Sequence, residues 1–316
     1  MKRVLFVIMV MAHVAAFAHE PIIIPTPQSV TIAEGCYTIS SKTTIFSSNI
    51  ELQPLVDYCV AEIGLTKSSK HGDIELVIDD YLETEEYRLI VSEEGIAIRG
   101  GDYGGLFNGV MTLLQLLPAN VYNGGLTGSA EVVCCEISDS PRYEHRGFML
   151  DVCRTWVDKE AVMDFIDLLA YHKINSLRLH LTDDEAWRLE IKSHPELAKV
   201  GGFRGGDSPI WPRYGKWIEK WGGYYTQADM REIIEYAKVR NIEVIPEIDL
   251  PGHSLAMASM HPEILCNYTP NLESSFGYDT RSAFCVAKES NYTLLHDIIR
   301  EVCQVFDTKY IHIGGD

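Results

Sequence analysis

The sequence predicts an α/β chain: the first four strands of a (β/α)8 TIM barrel, preceded by a small α+β domain. Three observations carry this. From about residue 141, short apolar strands alternate with amphipathic helices, the rhythm of parallel strands joined by helical crossovers. Each strand delivers acids or a His at its C-terminal end, where barrel active sites form. No Gly-rich phosphate turn follows the first strand, as a dinucleotide-binding sheet would require.

The 316 residues suffice for two domains and a sizeable core. A formal net charge of −18 argues against a nucleic-acid or anionic-membrane partner, whose phosphates would repel the chain. Lys2 and Arg3 precede the apolar run Val4 to Ala12, and Ala16-Phe17-Ala18 has the small-x-small form of a cleavage site. Residues 1–18 therefore read as a signal peptide, with export to a periplasmic, extracellular or (in a eukaryote) lysosomal compartment. The apolar run is too short to span a membrane. Export permits disulfides among the eight Cys. Cys266 and Cys285 flank one loop and could pair, whereas Cys153 and Cys303 sit in apolar contexts and read as buried thiols. Asn267 and Asn291 open glycosylation sequons that matter only in a eukaryote.

Residues 19–140 read as the α+β domain. A strand is expected over Asp73–Ile78, and a hairpin over Glu86–Val91 and Gly95–Arg99 around Ser92-Glu93-Glu94. Helices are expected over Leu52–Ile63 and Tyr103–Leu117, the second presenting Leu106, Val110, Leu113, Leu114 and Leu117 on one face. The glycines from Gly100 to Gly109 could cradle a phosphate, but no Gly-Lys-Ser/Thr follows, so a tight turn into a packed helix is the better reading. Ser138-Asp-Ser-Pro141 marks the boundary.

Residues 141–316 carry the barrel rhythm. Strands are expected over Phe148–Asp151, Ile174–Leu181, Ile242–Ile248 and Lys309–Ile313. Helices are expected over Asp158–His172, from Thr226 through Arg240 and over Ser290–Phe306, with Asp158 capping the first and Thr226-x-x-Asp229 opening the second as a capping-box variant. Thr182–Tyr225 and Asp249–Lys288 read as long loops.

The polar residues gather at the strand ends: Asp151 and Arg154, then Asp183-Asp184-Glu185, then Glu247, Asp249 and His253, then Asp316. Several carboxylates with one Arg and one His suit hydrolysis through an oxocarbenium-like sugar, which fixed negative charge stabilises. Arg154 can clamp a hydroxyl or orient a carboxylate by a forked bond. Each piece has a plainer reading: Asp151 and Asp249 could cap loops, Asp183-Asp184-Glu185 could be a solvated face, and His253 could bond its own turn. A metal site is the other chemistry, since His180, His253 and His312 accompany the acids, but no pair has helical His-x-x-x-His spacing. Of the five tryptophans, most read as loop packing, with Trp211 to Tyr225 the best stretch for an outer sugar subsite.

Four motifs, Arg146-Gly-Phe-Met-Leu-Asp-Val-Cys-Arg154, His180-Leu-Thr-Asp-Asp-Glu-Ala-Trp-Arg188, Pro246-Glu-Ile-Asp-Leu-Pro-Gly-His253 and His312-Ile-Gly-Gly-Asp316, together resemble the β-N-acetylhexosaminidases of glycoside hydrolase family 20. The resemblance is strong over about 140–316 and looser before it. It implies an exo-acting enzyme that releases terminal N-acetylglucosamine or N-acetylgalactosamine from glycans with retention, without a cofactor. Arg154 would hold sugar hydroxyls, Asp183 and His253 would belong to the polar network beside the catalytic acid, and Asp316 would orient the substrate's 2-acetamido group. The acetamido oxygen itself would attack the anomeric carbon, an exception among retaining glycosidases. The family's proton donor is the Glu after the residue matching Asp316, so these 316 residues are expected to be an incomplete, inactive fragment, or else a non-catalytic glycan-binding remnant. Thr155 where His is common, and Glu185-Ala186 where Gln-Gly is common, depart from the pattern.

Overall fold

The computed structural model describes residues 21–122, 124–210, 218–266 and 282–316. The expected signal peptide, Trp211, Trp217 and Asn267 lie outside the described residues.

Residues 29–139 build a seven-stranded mixed sheet. Its strands are β1 (Ser29–Ser40), β2 (Thr44–Phe46), β3 (Thr66–Lys67), β4 (Ile74–Ile78), β5 (Tyr87–Ser92), β6 (Gly95–Gly100) and β7 (Ser129–Asp139), in the order β1-β7-β5-β6-β4-β2-β3. β5 and β6 pair antiparallel, as the hairpin signal predicted. Helices α1 (Gln53–Ile63) and α2 (Tyr103–Leu116) accompany the sheet. Asp102 caps α2, accepting from Gly105 N at 2.8 Å. Leu106, Val110, Leu113 and Leu114 are buried, each worth about 1.5–3 kcal/mol against exposure. The glycines here serve packing: a side chain at Gly105 would strike the Glu86 carbonyl, so the start of α2 lies directly against the backbone that leads into β5.

Residues 147–314 build a second sheet, all parallel. β8 (Gly147–Asp151), β9 (Ser176–His180), β14 (Glu243–Leu250) and β15 (His312–Gly314) run side by side in chain order. The long insertion after β9 holds two small antiparallel ribbons, β10 (Thr182–Asp183) with β11 (Ala186–Trp187), and β12 (Phe203–Arg204) with β13 (Trp221–Gly222), as well as the single-turn α4 (Glu196–Lys199). Helices α3 (Lys159–Tyr171), α5 (Gln227–Val239) and α7 (Glu289–Val305) make the three crossovers, and α6 (Leu255–Met260) sits in the loop after β14. Asp158 accepts from Ala161 N at 2.9 Å to start α3. Thr226 and Asp229 form the reciprocal capping box of α5.

The strands are less uniformly apolar than expected. Leu177, Leu179, Val244 and Ile248 are buried, while Arg178, Glu247 and His312 meet on the other face. That face borders an open concavity of about 1200 Å³ between β8 and β15. Phe148, Met149, Tyr310 and Ile313, on or beside these two edge strands, are exposed.

Buried polar contacts tie the two sheets together. Glu85 accepts both guanidinium nitrogens of Arg146, at 2.9 and 2.8 Å, and the Asn241 amide at 2.8 Å. Lys173 donates to Tyr87 Oη at 2.9 Å and pairs with Asp139 at 3.2 Å. Apolar side chains from both sheets belong to one continuous core.

Cys266 and Cys285 form a disulfide, and Cys153 is a buried thiol. Cys303 corrects the expectation, because it lies on the exposed side of α7. Asn291 is also committed elsewhere: its buried amide donates to Ile264 O at 2.8 Å and Cys285 O at 3.0 Å, so the sequon there is not presented to solvent.

Candidate active site

The parallel register places four strand ends at one mouth. Asp151 lies opposite His180, and His180 lies opposite Glu247, which pairs with His312. The turns after these strands then add Arg154, Asp183, His253 and Asp316.

Asp151 does cap its own turn, with Oδ1 accepting from Cys153 N at 2.9 Å and Arg154 N at 3.0 Å. Its other oxygen takes Arg154 Nη1 at 2.8 Å, while Arg154 Nη2 reaches Asp183 Oδ2 at 2.8 Å. Two carboxylates thus fix the guanidinium, which remains partly exposed. Asp183 is the hub. Its Oδ2 also meets His180 Nε2 at 2.9 Å, and its Oδ1 lies 3.3 Å from His253 Nδ1. The opposite edge of the His253 ring meets Asp316 Oδ2 at 3.0 Å. A chain of charged contacts therefore runs Arg154–Asp183–His253–Asp316, its Asp183–His253 link an ion contact without hydrogen-bond geometry.

Backbone geometry sets the last two links. His253 stands in the left-handed region at φ 51°, uncommon for a non-glycine residue. Its turn is held by Ser254 Oγ donating to Pro251 O at 3.0 Å. Gly252 N donates to Asp316 O at 3.2 Å, so the turn also fixes the Asp316 backbone. Gly314 has φ 66° and no room for a side chain beside the Asp249 carboxylate.

The electrostatics follow from burial and pairing. Burial alone would raise the Asp183 carboxyl, but His180, His253 and Arg154 together hold it well below the usual range. For His180, burial opposes charge, and the bonds to Asp183 and Glu247 outweigh it, raising the imidazole to about 9. Asp183 likewise raises His253 to about 9, against a smaller opposing effect of burial. Both rings are thus imidazolium at neutral pH. Asp249 differs: burial pushes its carboxyl up, and Oδ1 has no hydrogen-bond partner among the described residues.

The solvated-face reading of Asp183-Asp184-Glu185 does not hold, since these residues are 2%, 3% and 2% exposed. Asp184 accepts from Leu255 N at 3.0 Å and Ser282 Oγ at 2.5 Å. Glu185 pairs with the buried Arg204 at 3.1 Å. Both acids order the loops, and Asp184 Oδ2 also lies 3.7 Å from His253 Nδ1. Trp187 is packing: it is buried, and its indole donates to Leu189 O at 2.7 Å. Trp156 and Trp221 lie under the guanidiniums of Arg188 and Arg204.

Sequence reasoning named Glu247 among the strand-end acids and His180 only toward a metal, and both back the hub from the strands themselves. A His and a Glu breaking two neighbouring apolar strands at the same level were the available signal. Sequence reasoning passed over Arg188, whose buried guanidinium donates to the carbonyls of Val152, Gly202, Cys153 and Gly223 and so stitches three loops together. For a metal, Asp183–Asp184–His253 and Asp249–His253–Asp316 each offer atoms within 4.8 Å of one another. The His253 nitrogens there already face carboxylates, which favours a protonated ring over a metal ligand.

Residues 143–316 match the glycosyl hydrolase family 20 catalytic domain, and residues 20–140 match domain 2 of that family. A β-hexosaminidase of Porphyromonas gingivalis is 37% identical over 311 residues, covering 93% of this chain and 38% of its own length. An exo-β-N-acetylglucosaminidase of Vibrio harveyi, solved with N-acetylglucosamine, superposes with a TM-score of 0.86 at 34% identity, over 93% of this chain and 46% of that one. The N-acetyl-β-hexosaminidase of Streptomyces plicatus superposes with a TM-score of 0.79 at 35% identity, over 92% and 58%. The chain thus spans about half, or less, of the length of these relatives. With both halves of its sequence matched in order, the chain belongs to glycosyl hydrolase family 20.

Proposed function

We propose that this chain supplies the substrate-positioning half of an exo-acting β-N-acetylhexosaminidase that removes terminal N-acetylglucosamine or N-acetylgalactosamine from glycans. The observation that carries the reading is the chain Arg154–Asp183–His253–Asp316, which ends at the mouth on a carboxylate held by an imidazolium. Arg154, fixed by Asp151 and Asp183, keeps donors free for sugar hydroxyls. Asp316 receives the acetamido N–H, which turns the acetamido oxygen toward the anomeric carbon. That oxygen attacks while the glycosidic bond breaks, and water then restores the sugar with retention. His253 holds Asp316 in place, and Asp183 holds His253.

The family resemblance puts the proton donor directly after Asp316, so these residues would position the sugar for that donor. The strand order β8-β9-β14-β15 supports reading residues 141–316 as the first half of a (β/α)8 barrel, since a doubly wound sheet reverses its order at a switch point. Residues 19–140 would be the preceding α+β domain and residues 1–18 an export signal. Among the described residues, no helix is long and apolar enough to cross a membrane.

Calorimetric titration tests the positioning role. N-acetylglucosamine is expected to bind while glucose does not, and Arg154→Ala and Asp316→Ala are each expected to weaken binding at least tenfold. Equal affinity for the two sugars would contradict the role given to Asp316.

A further inference from the structure

We propose that His194, Glu196 and His261 form a binding site for a divalent transition-metal ion of the zinc type, separate from the sugar site. One ligand atom from each lies within 4.8 Å of the other two. His261 Nε2 and His194 Nδ1 both face the same oxygen, Glu196 Oε1, at 2.7 and 3.7 Å. The two rings stand edge to face with centroids 5.6 Å apart. Zinc–nitrogen and zinc–oxygen bonds of about 2.0–2.2 Å place tetrahedral ligand atoms about 3.4 Å apart, between these two spacings. Small side-chain rotations would bring all three ligands into reach.

The outer edges of the rings strengthen the case. His261 Nδ1 faces Glu263 Oε1 at 2.9 Å, and His194 Nε2 faces Asp297 Oδ2 at 3.4 Å. Metal-bound imidazoles are oriented in this way, each donating its second N–H to a carboxylate. When both outer N–H groups are so donated, the two inner nitrogens and Glu196 Oε1 are all acceptors. Three lone-pair atoms meeting at one point need a cation among them. Glu263 and Asp297 supply compensating negative charge, which Arg300 offsets in part through its 3.1 Å contact with Asp297. The imidazole pair selects a borderline ion over Mg²⁺ or Ca²⁺, which prefer all-oxygen shells. All three ligands are partly exposed, so an ion can enter from solvent.

The ligands come from separate elements. His194 and Glu196 belong to the insertion after β9, and His261 follows α6 in the loop after β14, while Asp297 lies on α7. A bound ion would pin together the two loops that carry Asp183 and His253.

The test is Zn²⁺ titration of the chelator-stripped protein by calorimetry, with Co²⁺ absorption as a ligand-field probe and thermal melting as a second readout. One equivalent per chain is expected, with a raised Tm and a Co²⁺ spectrum of mixed nitrogen and oxygen ligands. Mg²⁺ should have no effect. The double variant His194→Gln/His261→Gln should lose that equivalent and the rise in Tm. Asp297→Asn, which spares all three ligands, should weaken Zn²⁺ about 10- to 100-fold and remains informative if the double variant does not fold. An unchanged equivalent in these variants would place zinc elsewhere and overturn the proposal. So would a cluster that stabilises the protein only on acidification, with no response to Zn²⁺, since protons would then be the shared cation.

Discussion

Asp183 carries more of the site than any other side chain. It is buried and touches Arg154, His180 and His253 at once. Asp183→Asn would leave three cationic groups without their shared anion, and breaking a buried ion network of this kind costs about 3–5 kcal/mol. Urea unfolding should report that loss, alongside loss of sugar binding. The same groups set a pH window. His180 and His253 are raised from 6.5 to about 9 in the folded state, so their stabilisation is complete below pH 6.5 and is lost as pH rises through about 9. Asp183 is lowered from 3.8, so its share is present above that value and is lost on further acidification. Urea midpoints should therefore be highest between about pH 4 and 6.5 and fall on the alkaline side. His253→Gln should flatten that fall, and an unchanged slope would show that the ring is not charged in the native state. The sequence made Arg154, Asp183, His253 and Asp316 legible because each closes a strand with a polar residue. It named Glu247 with them but left the role of His180 open, because a single polar residue inside an apolar strand looks the same whether it packs or pairs.

At the scale of elements, caps and glycines decide where helices sit. Thr226 and Asp229 satisfy each other's backbone at the start of α5, and Thr226→Ala should cost about 1 kcal/mol by thermal or chemical denaturation. Gly105→Ala should cost more, about 1–3 kcal/mol, because the added methyl meets the Glu86 carbonyl rather than open space. If phosphate instead stabilised the wild type and Gly105→Ala removed that response, the cradle reading would return. Helices α2, α3, α5 and α7 were legible because each repeats its apolar residues at helical spacing behind a recognisable start or stop. β1 and β7 escaped notice, although they pair along most of their length. The register of β1 slips between Ile32 and Cys36, around Gly35 with its positive φ, and the slip breaks the alternation a reader would look for. The ribbons β10–β11 and β12–β13 escaped for another reason: strands of two residues have no period to detect.

Across the whole molecule, the two sheets share one core, and the parallel sheet presents an open concave face. One face of the mixed sheet is buried and its core joins that of the parallel sheet, whose edges β8 and β15 have exposed Phe148, Met149, Tyr310 and Ile313 nearby. Unpaired parallel edges beside exposed apolar residues favour association between chains. The central claim concerns the site, and one measurement addresses it directly: hydrolysis of an aryl N-acetyl-β-glucosaminide and of the matching aryl β-glucoside by the gene product that carries these residues, with and without Asp316→Ala. The account predicts turnover of the acetamido sugar alone and a loss of about 10²-fold or more in kcat/KM on Asp316→Ala. Comparable turnover of both sugars, or indifference to Asp316→Ala, would contradict it.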